Sequence, residues 1–90
     1  MSLMAVKIKV MPTSPEVDLE ELKNKIRKRI IDSSNSNVKF EEEPIAFGLK
    51  ALIISLGWPE DRELDSLEEE LKKIENVNSV EVIDIRRAFG

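Results

Sequence analysis

Two hydrophobic periods alternate along this chain. Val6, Ile8 and Val10 are interleaved with Lys7 and Lys9, the two-residue repeat of a strand with one buried face. Pro12 to Pro15 interrupts that repeat. From Asp18 the apolar positions move to Leu19, Leu22, Ile26 and Ile30, a stripe along one side of a helix. Asp18 and Glu21 stand at the spacing of an N-terminal capping pair, with aspartate where serine or threonine is usual. Glu20 and Glu21 fall early and Arg27, Lys28 and Arg29 late, the order that the helix dipole favours. The polar run Asp32 to Asn37 predicts the end of this helix.

A second short strand is predicted at Val38 and Phe40, alternating with Lys39 and Glu41 and followed by Pro44, which suits a strand end or edge. The most apolar segment runs from Phe47 to Leu56, interrupted only by Gly48, Lys50 and Ser55, and Gly57-Trp58-Pro59 closes it. Such a run predicts a strand in the middle of a sheet, with apolar residues on both faces. Leu64, Leu67, Leu71 and Ile74 return to helical spacing. On that helix Glu68–Lys72 and Glu69–Lys73 have the favourable i,i+4 order for ion pairs on a solvated face. A turn over Asn76–Ser79 and a last strand over Val80–Ile85 complete the chain.

Strand, helix, strand, strand, helix, strand is the order of the ferredoxin-like βαββαβ sandwich, an α+β fold with two helices on one face of a four-stranded antiparallel sheet. Its first and third strands are central, which fits the apolar 47–56 segment. Ninety residues make one small domain. Residues 4–90 are read as that domain, and Met1-Ser2-Leu3 ahead of Met4 as a cloning remnant.

Composition narrows the chemistry. Cysteine, histidine and tyrosine are absent, which removes thiolate ligands, disulfides and the commonest general base and metal ligand. Glu41-Glu42-Glu43 is a tempting carboxylate cluster, but consecutive residues of an extended segment point to alternate faces and do not converge on one ion. A solvated run protecting a sheet edge is the better reading. The net charge of −4 argues against direct nucleic-acid binding. No apolar run approaches a membrane span or signal peptide. The expectation is a soluble cytoplasmic domain that needs no cofactor.

Fold topology alone does not choose a function. An RNA-binding version would carry stacking aromatics on its central strands, and the first strand has none. A phosphate cradle after the first strand would need glycine, and Pro12-Thr13-Ser14-Pro15 has none. A ligand-binding or oligomeric regulatory module stays open, because the third strand is apolar on both faces.

Pro44-Ile45-Ala46-Phe47-Gly48-Leu49-Lys50-Ala51-Leu52 resembles the signature of the elongation factor 1-beta exchange domain: proline, apolar, small, aromatic, glycine, apolar, lysine, then a strand. Val77-Asn78-Ser79-Val80-Glu81-Val82 is similar to that family's final strand, and it follows a helix with Leu67-Glu68-Glu69, as there. The resemblance covers roughly residues 4–90, and the short length is like the archaeal branch.

The resemblance implies a guanine-nucleotide exchange factor of translation, which binds the GTPase elongation factor 1-alpha and speeds GDP release without covalent catalysis. It also implies partner contacts at Phe47, with Gly48 letting the backbone turn and Lys50 pairing with acidic partner groups or only solubilising its strand. Trp58 reads as a cap on the core rather than a partner contact. Eukaryotic members end in a lysine implicated in disturbing the GTPase's magnesium site. Here the chain ends Ile85-Arg86-Arg87-Ala88-Phe89-Gly90 with no lysine; ungapped extension from Val77 puts Arg87 at the lysine position, whereas aligning Ala88-Phe89 with the family's similar pair does not. Arginine keeps the charge but is a planar, bulkier donor, so Arg86 and Arg87 are candidates for that end of the interface.

Overall fold

A computed structural model describes the backbone of residues 3–34, 38–60 and 63–87, and the side chains within these ranges apart from 3, 31–34 and 87. Strand β1 (Leu3–Pro12), helix α1 (Leu19–Ser34), strands β2 (Val38–Pro44) and β3 (Lys50–Pro59), helix α2 (Leu64–Lys72) and strand β4 (Val77–Arg87) follow in that order. The sheet is antiparallel in the order β2-β3-β1-β4. This is the ferredoxin-like sandwich, with β1 and β3 in the middle.

The two periods meet in the core. Val6, Ile8 and Val10 stand opposite Leu56, Ile54 and Leu52 across the central pair. Against them pack Leu22, Ile26 and Ile30 of α1, with Leu67, Leu71 and Ile74 from α2 and the residues just after it. Each such fully buried side chain contributes about 1.5–3 kcal/mol of hydrophobic stabilisation. Trp58, the largest fully buried side chain, is part of this cluster rather than of any surface. Ala51 and Ile53 are also buried, although they alternate with the core positions and so face away from the helices. Ile53 stands in register between Lys9 and Glu41, whose long stems can lie over it.

Several boundaries differ from the sequence pattern. β3 begins at Lys50 rather than Phe47 and continues through Gly57-Trp58-Pro59, because β1 pairs with it as far as Leu3↔Pro59. β4 starts at Val77 and reaches Arg87 for the same reason, so Asn78 and Ser79 are strand residues, not turn. Leu3 is thus part of β1, while residues 1 and 2 lie outside the described residues.

Asp18 caps α1 through Oδ1, accepting from the amides of Glu20 (3.0 Å) and Glu21 (3.3 Å). The helix ends at Ser34, inside the polar run Asp32–Asn37 that predicts its end. Arg27, Lys28 and Arg29 therefore precede the last turn, too far from the end for the dipole to reward them. Two of them find side-chain partners instead. Arg27 lies over the Phe40 ring at 5.3 Å, and Arg29 Nη1 donates to Glu70 Oε2 of α2 at 2.8 Å. Among the described residues, the ion pair that α2 forms is this bridge to α1, rather than Glu68–Lys72 or Glu69–Lys73.

Candidate functional site

Phe47 and Gly48 lie in the connection between β2 and β3. Leu49 donates its amide to the Ala46 carbonyl (2.9 Å), and Ile45 donates to the Leu49 carbonyl (2.8 Å). Both central residues of this turn have positive φ, 54° at Phe47 and 80° at Gly48. Primed turns need that pair of angles, and their twist matches the flanking strands. Gly48 adopts its angle without steric cost. Phe47 does not, since the left-handed region costs an L-residue about 1–2 kcal/mol. The strain is held by the rungs below, Pro44↔Lys50 and Glu43↔Ala51.

The result is an aromatic ring held away from the body of the domain. Phe47 is 97% exposed, and Ile45 beside it is 41% exposed. No burial rewards this conformation, so the local backbone strain is uncompensated by packing. Backbone strain of this kind makes Phe47 a candidate functional position.

Beside the turn is a cleft of about 280 Å³ lined by Pro12, Ser14, Pro15, Leu19, Gly48 and Lys50. Its walls come from the β1–α1 connection and the start of β3. The β1–α1 connection is tied in turn to the α2–β4 connection by Thr13, whose amide donates to the Asn76 carbonyl at 2.9 Å. Asn76 has φ 74°, an angle that asparagine tolerates well. Three connections therefore meet at one end of the sheet.

Charge at this end is partly neutralised from within. Glu42, on the helix side of β2, accepts from Lys23 Nζ of α1 at 2.9 Å, and Lys50 Nζ lies 3.9 Å from its other oxygen. The Lys23 hydrogen bond holds the Glu42 carboxyl below its ordinary range, with a smaller contribution from Lys50. Reciprocally, the bond to Glu42 raises the Lys23 ammonium above its ordinary range. Lys50 reaches Glu42 only at the limit of an ion pair and stays exposed.

Phe47, Gly48 and Lys50 are thus brought together, and Arg86 and Arg87 are not. Arg86 pairs through its backbone with Ala5, and Ala5 also faces Gly57. Gly57 is seven residues along β3 from Lys50, which is about 23 Å at a strand's rise of ~3.3 Å per residue. In a body 41 Å long and 21 by 19 Å across, these are opposite ends. Arg86 Nε donates to Asp84 Oδ2 at 3.1 Å with its side chain mostly in solvent. The Arg87 backbone pairs with Met4; its side chain and residues 88–90 lie outside the described residues.

The sequence pattern missed the left-handed turn, since phenylalanine is a rare occupant of positive φ and Gly48 was the sole local sign of a turn. Among the described residues no charged or polar side chain is buried, and no cluster of metal-ligating side chains forms. No helix is long and apolar enough to cross a membrane.

The domain is thus a ferredoxin-like sandwich that projects an exposed aromatic on a strained turn beside a cleft. Residues 5–88 match the family described as the EF-1 guanine nucleotide exchange domain. The elongation factor 1-beta of Methanothermobacter thermautotrophicus is 49% identical over 82 residues, 89% of this chain and 90% of that protein. Those of Pyrococcus abyssi and Sulfolobus acidocaldarius are 46% and 44% identical, each over 89% of this chain and over 89% and 90% of their own lengths. This chain belongs to the EF-1 guanine nucleotide exchange domain family of translation elongation factors. Among solved structures, the ACT domain from the GTP pyrophosphokinase of Chlorobium tepidum aligns with a TM-score of 0.61, over 92% of this chain and all of that one. At 17% identity that likeness speaks for the fold alone.

Proposed function

We propose that this chain promotes exchange of GDP for GTP on elongation factor 1-alpha by holding the nucleotide-free GTPase more tightly than the GDP-bound form. Linkage then requires that GDP affinity falls by the same factor by which GDP weakens the complex. A thousandfold effect corresponds to about 4 kcal/mol of differential binding. No covalent step is needed, and the chain's own residues act by contact and by charge.

The observation that carries this reading is Phe47, 97% exposed within the family's own motif. An exposed, pre-oriented aromatic is the usual anchor of a protein interface, since it enters a partner pocket with little loss of conformational freedom. Gly48 sets its direction, and Lys50, only loosely tied to Glu42, is free to meet an acidic partner group. The Arg86-Arg87 end is the second contact. Its distance from Phe47 lets one small domain touch two separate regions of the GTPase, and a guanidinium there suits phosphate or carboxylate groups around the nucleotide and its magnesium. In this reading the chain works in the cytoplasm with its GTPase.

The test is release of a fluorescent GDP analogue from purified elongation factor 1-alpha. Catalytic amounts of this chain accelerate it, whereas no acceleration with a competent GTPase refutes the reading. Phe47→Ala lowers the acceleration by a factor of about 30 or more, the cost of losing a hot-spot aromatic, with the unfolding midpoint preserved. Arg86→Ala, which gives up only an exposed ion pair within the chain, has a smaller effect that fades at high salt.

A further inference from the structure

Where α2 ends against the middle of α1, the helix layer holds a groove of about 270 Å³ lined by Lys25, Lys28, Arg29, Lys73, Ile74 and Glu75. Four of these residues are cations and one is an anion, in a chain whose net charge is −4. Lys25, Lys28 and Arg29 stand three and four residues apart, on the flank of α1 that meets α2 through Arg29 and Glu70. Like charges at that spacing weaken a helix. Part of the charge is met within the chain: Lys25 Nζ lies 3.5 Å from a Glu21 oxygen, and Arg29 Nη1 2.8 Å from Glu70. Lys28 and Lys73 are exposed and have no carboxylate partner among the described residues. Lys73, at the end of α2, gains from the helix dipole. Lys28, in the middle of α1, has no such reward. None of the residues lining the groove belongs to the Phe47 turn, the cleft beside it or the Arg86 end.

We propose that this groove docks a short acidic segment of a partner protein, its carboxylates on the four cations and an apolar side chain over Ile74 and the lysine stems. Ile74 is the buried floor, and lysine stems offer apolar surface while their ammonium groups stay in water. Ammonium and guanidinium groups bind carboxylates and phosphates alike, so the surroundings decide between a peptide and a nucleic acid. Glu75 lines the groove, and Glu21 and Glu70 stand beside it, paired with its cations. A continuous polyanion such as an RNA backbone runs on from the cations into these carboxylates, whereas a segment of a few residues ends among the cations. No aromatic side chain lines the groove to stack a base. The proposal does not depend on the GTPase.

The test titrates the whole isotope-labelled chain with a peptide of glutamates around one leucine. About six residues suffice, since at ~3.3 Å each they cross two helices packed about 8–10 Å apart. At low salt the peptide shifts the amide resonances of Lys25 to Arg29 and of Lys73 to Glu75, and the shifts fade as salt rises. No saturable shift, or equal shifts at Lys7 and Lys39 on the sheet face turned away from the helices, overturns the proposal. Lys28→Glu with Lys73→Glu weakens peptide binding by about tenfold or more, about 1.4 kcal/mol, with the urea midpoint as the check on folding. Lys28→Gln with Lys73→Gln, which puts no carboxylate at the end of α2, weakens binding in the same direction and guards against a loss of fold. Lys7→Glu with Lys39→Glu makes the same change of net charge at exposed positions and leaves binding within about twofold. Equal weakening by both reversed pairs assigns the effect to net charge and overturns the site. A short RNA duplex that binds the same residues more tightly than the peptide at equal salt overturns the choice of an acidic protein segment.

Discussion

At the Phe47 end of the sheet three connections are drawn together, and the one between β2 and β3 is bent into a conformation that phenylalanine resists. At the Arg86 end, 23 Å or so away by strand rise, no comparable turn presents the charge. Arg86 is an ordinary strand residue whose side chain reaches solvent from an outermost strand. One end presents a rigid apolar anchor whose direction is set by backbone geometry, and the other a flexible cation. The difference teaches where each kind of contact gains its specificity: the aromatic from pre-orientation, the arginine from field and reach. In the exchange role proposed above, Phe47 is the residue expected to set the pose and Arg86 the one expected to act at a distance from it.

Breaking the sheet that joins the two ends has the largest expected effect. Trp58→Ala removes the largest buried side chain, within the helix-facing core of β3, and costs about 3–5 kcal/mol, a large part of a small domain's stability. Urea denaturation shows it as a lowered midpoint, and exchange activity falls with the folded fraction.

Next comes a variant that separates strain from function. Phe47→Gly loses no packing, since the ring is 97% exposed, and it relieves the positive φ. Its stability rises by about 0.5–1 kcal/mol, the left-handed cost less the entropy of the extra glycine. Exchange activity falls as far as with Phe47→Ala. A Phe47→Gly protein that is less stable than the parent contradicts the account of a strained turn.

Gly48→Ala tests pre-orientation with the ring kept. A Cβ there meets Pro15 Cβ at 3.8 Å, an ordinary contact, so its cost is conformational and not steric. The loss is about 1 kcal/mol at φ 80°, and nucleotide release slows several-fold because the ring is aimed differently. A variant that exchanges at full rate shows that the turn geometry does not matter.

The smallest effect is the pH dependence of the brace behind the turn. Glu42's carboxyl is lowered by Lys23, so the stabilisation is present above its unfolded value of 4.5 and is lost as pH falls through the lower folded value. Lys23's ammonium is raised, so the same pair is complete below 10.5 and is lost as pH rises through the higher folded value. Glu42→Gln flattens both limbs of the stability–pH profile; a parent-like acid limb in that variant assigns the dependence to other carboxylates.

Most of the fold was legible because burial and local periodicity agree. Val6, Ile8 and Val10, the α1 stripe of Leu22, Ile26 and Ile30, and Leu67, Leu71 and Ile74 all lie in the core. What failed was where elements stop. β3 and β4 end where β1 offers a partner, a non-local fact that no window of sequence contains. Of the candidate site, the family resemblance picked out Phe47, Gly48 and Lys50; Lys50 does open β3, while Phe47 and Gly48 lie in the turn before it and not in the strand. Phenylalanine argues for extended backbone, and the closing hydrogen bonds of the turn override that preference.

The order of hydrophobic periods by itself determined an α+β sandwich with β1 and β3 at its centre, and two short motifs determined the family. Side-chain burial repays regular alternation, so such patterns survive reading one residue at a time. Only the tertiary structure decided that Phe47 points away from the domain, that Arg86 lies at the far end from it, and that β2 and β4 are the outermost strands. Each of these depends on which strand lies beside which, and strand neighbours are chosen by contacts between residues far apart in the chain.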